Sequence, residues 1–336
     1  MPHSPPIDAR QLFRDVSAYA RPQVWRSLWE ILVTAVPFVL LWAMTWAALS
    51  RGHLLGLLLA IPAGGFLLRL FLIQHDCGHG ALFRRRSTND WVGRAVSVLT
   101  LTPYDFWRRS HALHHATSGN LGKRGTGDVD TLTLQEYREK NARQRFFYRL
   151  YRSPLVLLGI GPAYLFLLRH RLPVGFMRSG WRPWASALGT NAAIAGLAGI
   201  MIWQIGLWPF LAVHLPITLV AASAGVWLFY VQHQFEHTSW DEDDSWSFHE
   251  AALHGSSHYD LPPILRWFTA NIGIHHVHHL SSRIPFYRLP EVLRAHPELA
   301  GVSRLTLRES LRTLRLTLWD SQARRLVSFS QAARTS

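Results

Sequence analysis

Cysteine is nearly absent from this chain. Cys77 is the only one, which excludes an intrachain disulfide framework, a four-cysteine metal cluster and a C-x-x-C-H haem attachment. Lysine is scarce too, since Lys123 and Lys140 are the only two among 35 basic residues. The net charge of +14 is therefore carried almost wholly by arginine. Charge of either sign is missing from long stretches. Residues 31–49 hold no Asp, Glu, Lys or Arg, and residues 185–230 run 46 positions without one. A mean hydropathy of +0.05 over 336 residues would on its own suit a large soluble domain. The uneven distribution excludes that reading, because a bilayer-spanning helix needs about 20 apolar residues and the longer run holds two. Residues 1–30 lack the apolar core and small-residue cleavage site of a signal peptide. No internal repeat or low-complexity tract is present.

The expected fold is an all-α integral membrane protein with four transmembrane helices in two hairpins. The first hairpin spans residues 31–73, with helices at about 31–49 and 54–73. The second spans 185–230, with helices at about 185–204 and 208–230. Residues 1–30 form an N-terminal segment. Residues 74–184 and 231–336 form the two parts of a helical cap. Arg51 is the only basic residue in either hairpin loop, and Arg69, near the end of the second helix, is expected to snorkel to the interface. The remaining basic residues all fall on the other side, which the positive-inside rule makes cytoplasmic. The charge is thereby explained as topology, and nucleic acid is not expected as a partner. The apolar segment 154–168, broken by Gly159, Gly161 and Pro162, is short for a span and reads as interfacial or re-entrant. Residues 305–328, leucines among arginines, read as an amphipathic surface helix.

Histidine is what the chain has in excess. Eleven of its nineteen histidines fall in four clusters: His75/His79, His111/His114/His115, His233/His237 and His275/His276/His278/His279. On a helix, residues three or four apart share a face. Two i, i+4 pairs and two i, i+3, i+4 triads thus offer ten converging imidazoles, with His276 off the shared face. One metal takes four to six ligands, so ten suit two metals. Imidazole serves iron, zinc, copper or nickel. A closed structural zinc site would usually include cysteine, so the set points to a redox di-metal centre. Acidic groups are needed to orient ring N–H groups around such a centre; Asp76, Asp105 and Glu236 are the candidates, with Asn271 as a further polar one. Isolated His3, His53, His170, His214, His249 and His296 are read as structural. If all four clusters serve one centre, an even number of crossings separates His115 from His233. Segment 154–168 then does not cross, and both termini and every cluster lie in the cytoplasm.

The motifs His75-Asp76-Cys77-Gly78-His79, His111-x-x-His114-His115 and His275-x-x-His278-His279 resemble the three histidine boxes of membrane fatty acid desaturases. Phe229 to Glu236 and Trp267 to Gly273 resemble the bacterial Δ12/ω6-type acyl-lipid branch. The resemblance implies two iron ions held by His75, His79, His111, His114, His115, His233, His237, His275, His278 and His279. It also implies O₂ as co-substrate, a membrane lipid or fatty acyl substrate, and electrons from a separate ferredoxin-like protein. The product would be a cis double bond, and the location a bacterial cytoplasmic membrane. Where this branch often has Asp, the chain has His237; where it often has Tyr, the chain has His258, which is not expected to bind metal. Asp130 stands where an aromatic is usual. Related di-iron hydroxylases and ketolases share the centre, and a non-enzymatic metal- or haem-binding membrane protein is a more distant alternative. The latter places ionisable ligands inside its spans, whereas the clusters here lie at span ends.

Overall fold

The computed structural model describes residues 8–125 and 129–334. His3 and the first seven residues of the N-terminal segment lie outside them. The described chain is mostly helical. Four helices are long and apolar enough to cross a membrane: Val24–Ser50, Leu54–His79, Trp181–Ile205 and Leu207–His233. They form two hairpins, turning at Gly52 (φ +82°) and Gly206 (φ +90°), where left-handed backbone favours glycine. Trp25, Trp29, Trp181, Trp203 and Trp208 stand exposed near the helix ends, the positions where indole rings sit at a bilayer interface.

The second and fourth helices form the centre of the bundle. A Cβ on Gly64 would lie 2.5 Å from Val220 Cγ1 and 3.1 Å from the Ile217 carbonyl oxygen. Without a side chain there, the two backbones approach closely, as small residues permit in lipid. These two helices outlast their apolar runs. The second continues to His79 and the fourth to His233, so each carries histidines rigidly on its final turn.

Arg69 does not reach the interface. It is buried at 1% exposure and pairs with Glu30, on the first spanning helix. It also donates to Thr34 Oγ1 and to the Trp267 carbonyl, with its guanidinium 4.1 Å from the Trp267 ring centroid. A cation in an apolar bundle needs a charge partner and acceptors; Glu30, the residue directly before the expected first span, lies inside helix Val24–Ser50 and supplies the charge. Segment 154–168 forms a π-turn, Val156–Ile160, followed by the short helix Gly161–Leu167. The stretch Val156–Arg171 is bent by 56° from helix Ala142–Tyr151.

Residues 305–328 are not one surface helix. Only Leu307–Thr313 is helical, and Leu318–Asp320 pairs antiparallel with Arg325–Val327. Asp320 Oδ1 accepts from the Gln322 and Ala323 amides and starts the turn. Leu318, Trp319, Leu326 and Val327 are buried, so packing in this hairpin overrides the helical leucine spacing. A second small sheet pairs His258–Asp260 with Arg304–Thr306 in parallel.

Candidate metal centre

The four clusters arrive on two spanning helices and two shorter ones. Helix Leu54–His79 is stopped immediately after its first box by a Schellman motif. Gly80 adopts φ +72°, its amide donates to Cys77 O (3.0 Å), and the Ala81 amide donates to Asp76 O (2.9 Å). Helix Tyr104–Thr117 is tied to that turn by the Tyr104 hydroxyl, whose one proton is shared between Cys77 O (2.8 Å) and Asp90 Oδ1 (2.9 Å). The bare Cα of Gly93 leaves room for the Tyr104 ring. His233 is the last residue of the fourth spanning helix. The six-residue helix His275–Leu280 follows a turn through Ala270 (φ +48°) and Asn271 (φ +54°).

These supports bring nine imidazoles into two groups. His75, His79, His111, His115 and His278 form one; His114, His233, His275 and His279 form the other. Within each group, one nitrogen per ring lies within 4.8 Å of all the others. The triads are therefore split. His114 turns to the second group while His111 and His115 join the first, and His278 parts from His275 and His279.

The nitrogen spacings fit a central cation. In the first group, Nε2 atoms stand 3.3 Å apart for His75/His79, 3.0 Å for His79/His111, 3.1 Å for His111/His115 and 3.2 Å for His115/His278. In the second, His233 Nε2 lies 3.2 Å from His114 Nε2 and 3.1 Å from His275 Nε2. Ligands at about 2.1 Å from a metal are about 3.0 Å apart at right angles and about 3.4 Å apart in a tetrahedron. A neutral imidazole has one N–H, so a chain of five such nitrogens satisfies itself only with shared protons. One cation satisfies every lone pair. Burial, then the neighbouring histidines, push His111, His115, His275, His278 and His279 well below the usual imidazole pKa. They are held neutral, the form that binds metal.

His237 is not brought in. The helix ends at His233, Gln234 leaves helical geometry (φ −116°, ψ 77°), and the i, i+4 relation is lost; His237 and Glu236 are exposed. Of the polar candidates, Asp76 alone has a recorded contact with a grouped histidine. Its buried carboxylate lies 3.3 Å from His75 Nδ1 and accepts the Phe286 amide at 2.7 Å, leaving His75 Nε2 for the first group. Asp105 instead pairs with Arg94 at 2.8 Å. Asn271 Nδ2 donates to Phe286 O at 3.2 Å, which fastens the turn before the last box. His276 Nε2 bonds Leu299 O (3.0 Å), and His258 Nδ1 bonds Ala300 O (2.8 Å), both outside the groups.

Two neighbours were not expected from the sequence. Trp107 stacks on His111 with centroids 4.7 Å apart and planes 14° apart. A Cβ on Gly78 would come within 3.0 Å of the Trp107 ring, so the glycine between His75 and His79 makes room for that indole. Ser118 Oγ lies 3.5 Å from His233 Nδ1. The i, i+4 step from Trp107 to His111 was the available signal for the first; nothing in the pattern singled out Ser118.

A fatty acid desaturase family profile matches residues 52–310, most of the chain. A Bacillus subtilis protein named "Fatty acid desaturase" is 44% identical over 95% of this chain and 90% of its own length. The chain belongs to the fatty acid desaturase family. It is a membrane oxidoreductase, all-α, with histidine groups able to hold metal. Two Synechocystis desaturases match less of their length. The "sn-1 acyl-lipid omega-3 desaturase (ferredoxin)" is 30% identical over 69% of this chain and 64% of its own. The "sn-1 oleoyl-lipid 12-desaturase" is 27% identical over 68% and 64% respectively. The desaturase profile ends at residue 310, so the hairpin Leu318–Val327 lies beyond it.

Proposed function

We propose that this desaturase introduces a cis double bond, Δ12/ω6-like, into an acyl chain of a membrane lipid, using two iron ions held by the nine grouped histidines. The observation that carries the reading is the pair of all-histidine groups at the ends of apolar spanning helices. The balanced reaction consumes O₂, two electrons and two protons with the –CH₂–CH₂– unit, and yields –CH=CH– and two waters. Iron supplies the oxidising power for C–H cleavage when bound. The chain's own residues do the positioning. His75, held by Asp76, keeps one tautomer and orientation. The rings of the second group are all buried, which limits water there, and those of the first are buried or partly buried; the apolar helices let a lipid tail approach without leaving the membrane. The chain has no haem-attachment motif and no cysteine cluster, so electrons come from a separate protein, ferredoxin-like in kind. The relative named with ferredoxin supports that assignment. The arginine distribution supports a cytoplasmic location for the site and both termini, in a bacterial cytoplasmic membrane.

The test is fatty acid profiling after expression in a host supplied with saturated and monounsaturated chains. Conversion of oleoyl to linoleoyl groups is expected. A dienoic product whose new double bond lies at the ω3 position would move the enzyme to ω3 chemistry, and hydroxy or keto products without new double bonds would overturn the desaturation reading.

A further inference from the structure

We propose that Arg152 is a positioning residue for His233, and through it for the second histidine group; this rests on the metal-centre reading above. Arg152 caps helix Ala142–Tyr151 at the point where the chain bends. It is buried at 3% exposure. Nη1 donates to Thr131 Oγ1 at 2.8 Å and to Asp130 O at 3.3 Å. Nη2 donates to Leu316 O at 2.9 Å, to Gln234 Oε1 at 3.2 Å and to the Tyr230 hydroxyl at 3.4 Å. Tyr230 in turn donates to Thr313 O at 2.8 Å, and the Thr131 hydroxyl donates to Gln234 Oε1 at 3.3 Å. One guanidinium thus joins the 130–131 loop, the end of the fourth spanning helix and the turn after Leu307–Thr313.

The position of His233 makes this joint consequential. It is the terminal residue of its helix, where carbonyls lack intrahelical partners and the last turn frays. Arg152 holds the residue three before it, Tyr230, and the residue after it, Gln234. His233 Nε2 must stay within 3.2 Å of His114 and 3.1 Å of His275, so a shift of about 1 Å at the helix end opens the second group. No member of the first group lies on this helix. Lysine would keep the charge but lacks the planar fork that reaches several acceptors at once.

The experiment measures iron per chain, and affinity for each iron on titration, in detergent-purified protein, with thermal melting alongside. The unmodified protein should hold about two irons and His233→Ala about one. Arg152→Met should also hold about one, and Arg152→Lys an intermediate amount. The double variant Arg152→Met/His233→Ala should lose no more iron than His233→Ala, because both changes act on one site. Gln234→Met, which removes one of the five Arg152 bonds and is the milder change where Arg152→Met does not accumulate, should weaken the second iron several-fold while leaving the first. Two irons at unmodified affinity in Arg152→Met or Gln234→Met would overturn the inference, as would further loss in the double variant. Two irons retained by His233→Ala would instead defeat the metal-centre reading, and the inference with it.

Discussion

At the residue scale, grouped and ungrouped histidines are separated by what their Nε2 atoms touch. His276 and His278 are two residues apart, both fully buried. His278 directs Nε2 to His115 Nε2, whereas His276 directs its own to the Leu299 carbonyl. Replacement of His278 by Ala is expected to lower bound iron and abolish desaturation. His276→Ala should retain both irons, losing stability through an orphaned carbonyl by about 1–3 kcal/mol. Iron analysis and product profiling on both variants check this, and equal loss of iron from the two would contradict the grouping. Histidine spacing made His276 legible as the odd member of its box. The same spacing rule places His233 and His237 on one face, where the structure ends the helix at His233. A face argument holds only while the helix continues, and Gln234-Phe235 carries no glycine or proline to announce the stop.

At the element scale, the bundle depends on how closely the second and fourth spanning helices pack, because both deliver histidines from their last turns. A methyl group at Gly64 must displace Val220 and crowd the Ile217 carbonyl. Gly64→Leu is expected to cost about 1–3 kcal/mol through overpacking and to lower the melting temperature in detergent. Gly196→Ala on the third spanning helix, where no atom lies within 4 Å, is the control and should be neutral or slightly stabilising. Equal melting of both variants with unmodified protein would show that this contact does not limit stability. The existence of these helices was plain from uninterrupted apolar runs, whereas their ends were not. Helices two and four run on through polar, buried residues such as Gln74, His75 and Gln232, which hydropathy counts as outside. Arg69 and Glu30 were misplaced for the related reason that sequence shows a charge and not its partner across the bundle. The leucines of 305–328 read as helical because a spacing of three or four recurs, while the hairpin is set by the Asp320 turn and by burial of Trp319.

At the scale of the whole molecule, convergence of the clusters constrains how the chain threads the bilayer. The first group draws on both sides of the bent segment, His75 to His115 before it and His278 after it. The number of crossings between them must be even, and helices Trp181–Ile205 and Leu207–His233 supply two. On the shared-centre reading the bent stretch Ala142–Arg171 is therefore expected not to cross, and both hairpin loops are expected to face away from the cap. The single cysteine makes this testable without removing any residue, because Cys77 is fully buried and silent to an impermeant maleimide. His53→Cys, exposed in the first hairpin loop, and Gln204→Cys, exposed on the last turn of helix Trp181–Ile205 beside the second, should label in intact cells. Ser330→Cys, exposed at the far end of the cap, should label only after lysis. Labelling of His53→Cys with protection of Gln204→Cys would require the bent stretch to cross. That outcome would put His233 on the opposite side of the membrane from His114, although the two nitrogens stand 3.2 Å apart, and so would defeat the shared centre and the four-span topology together.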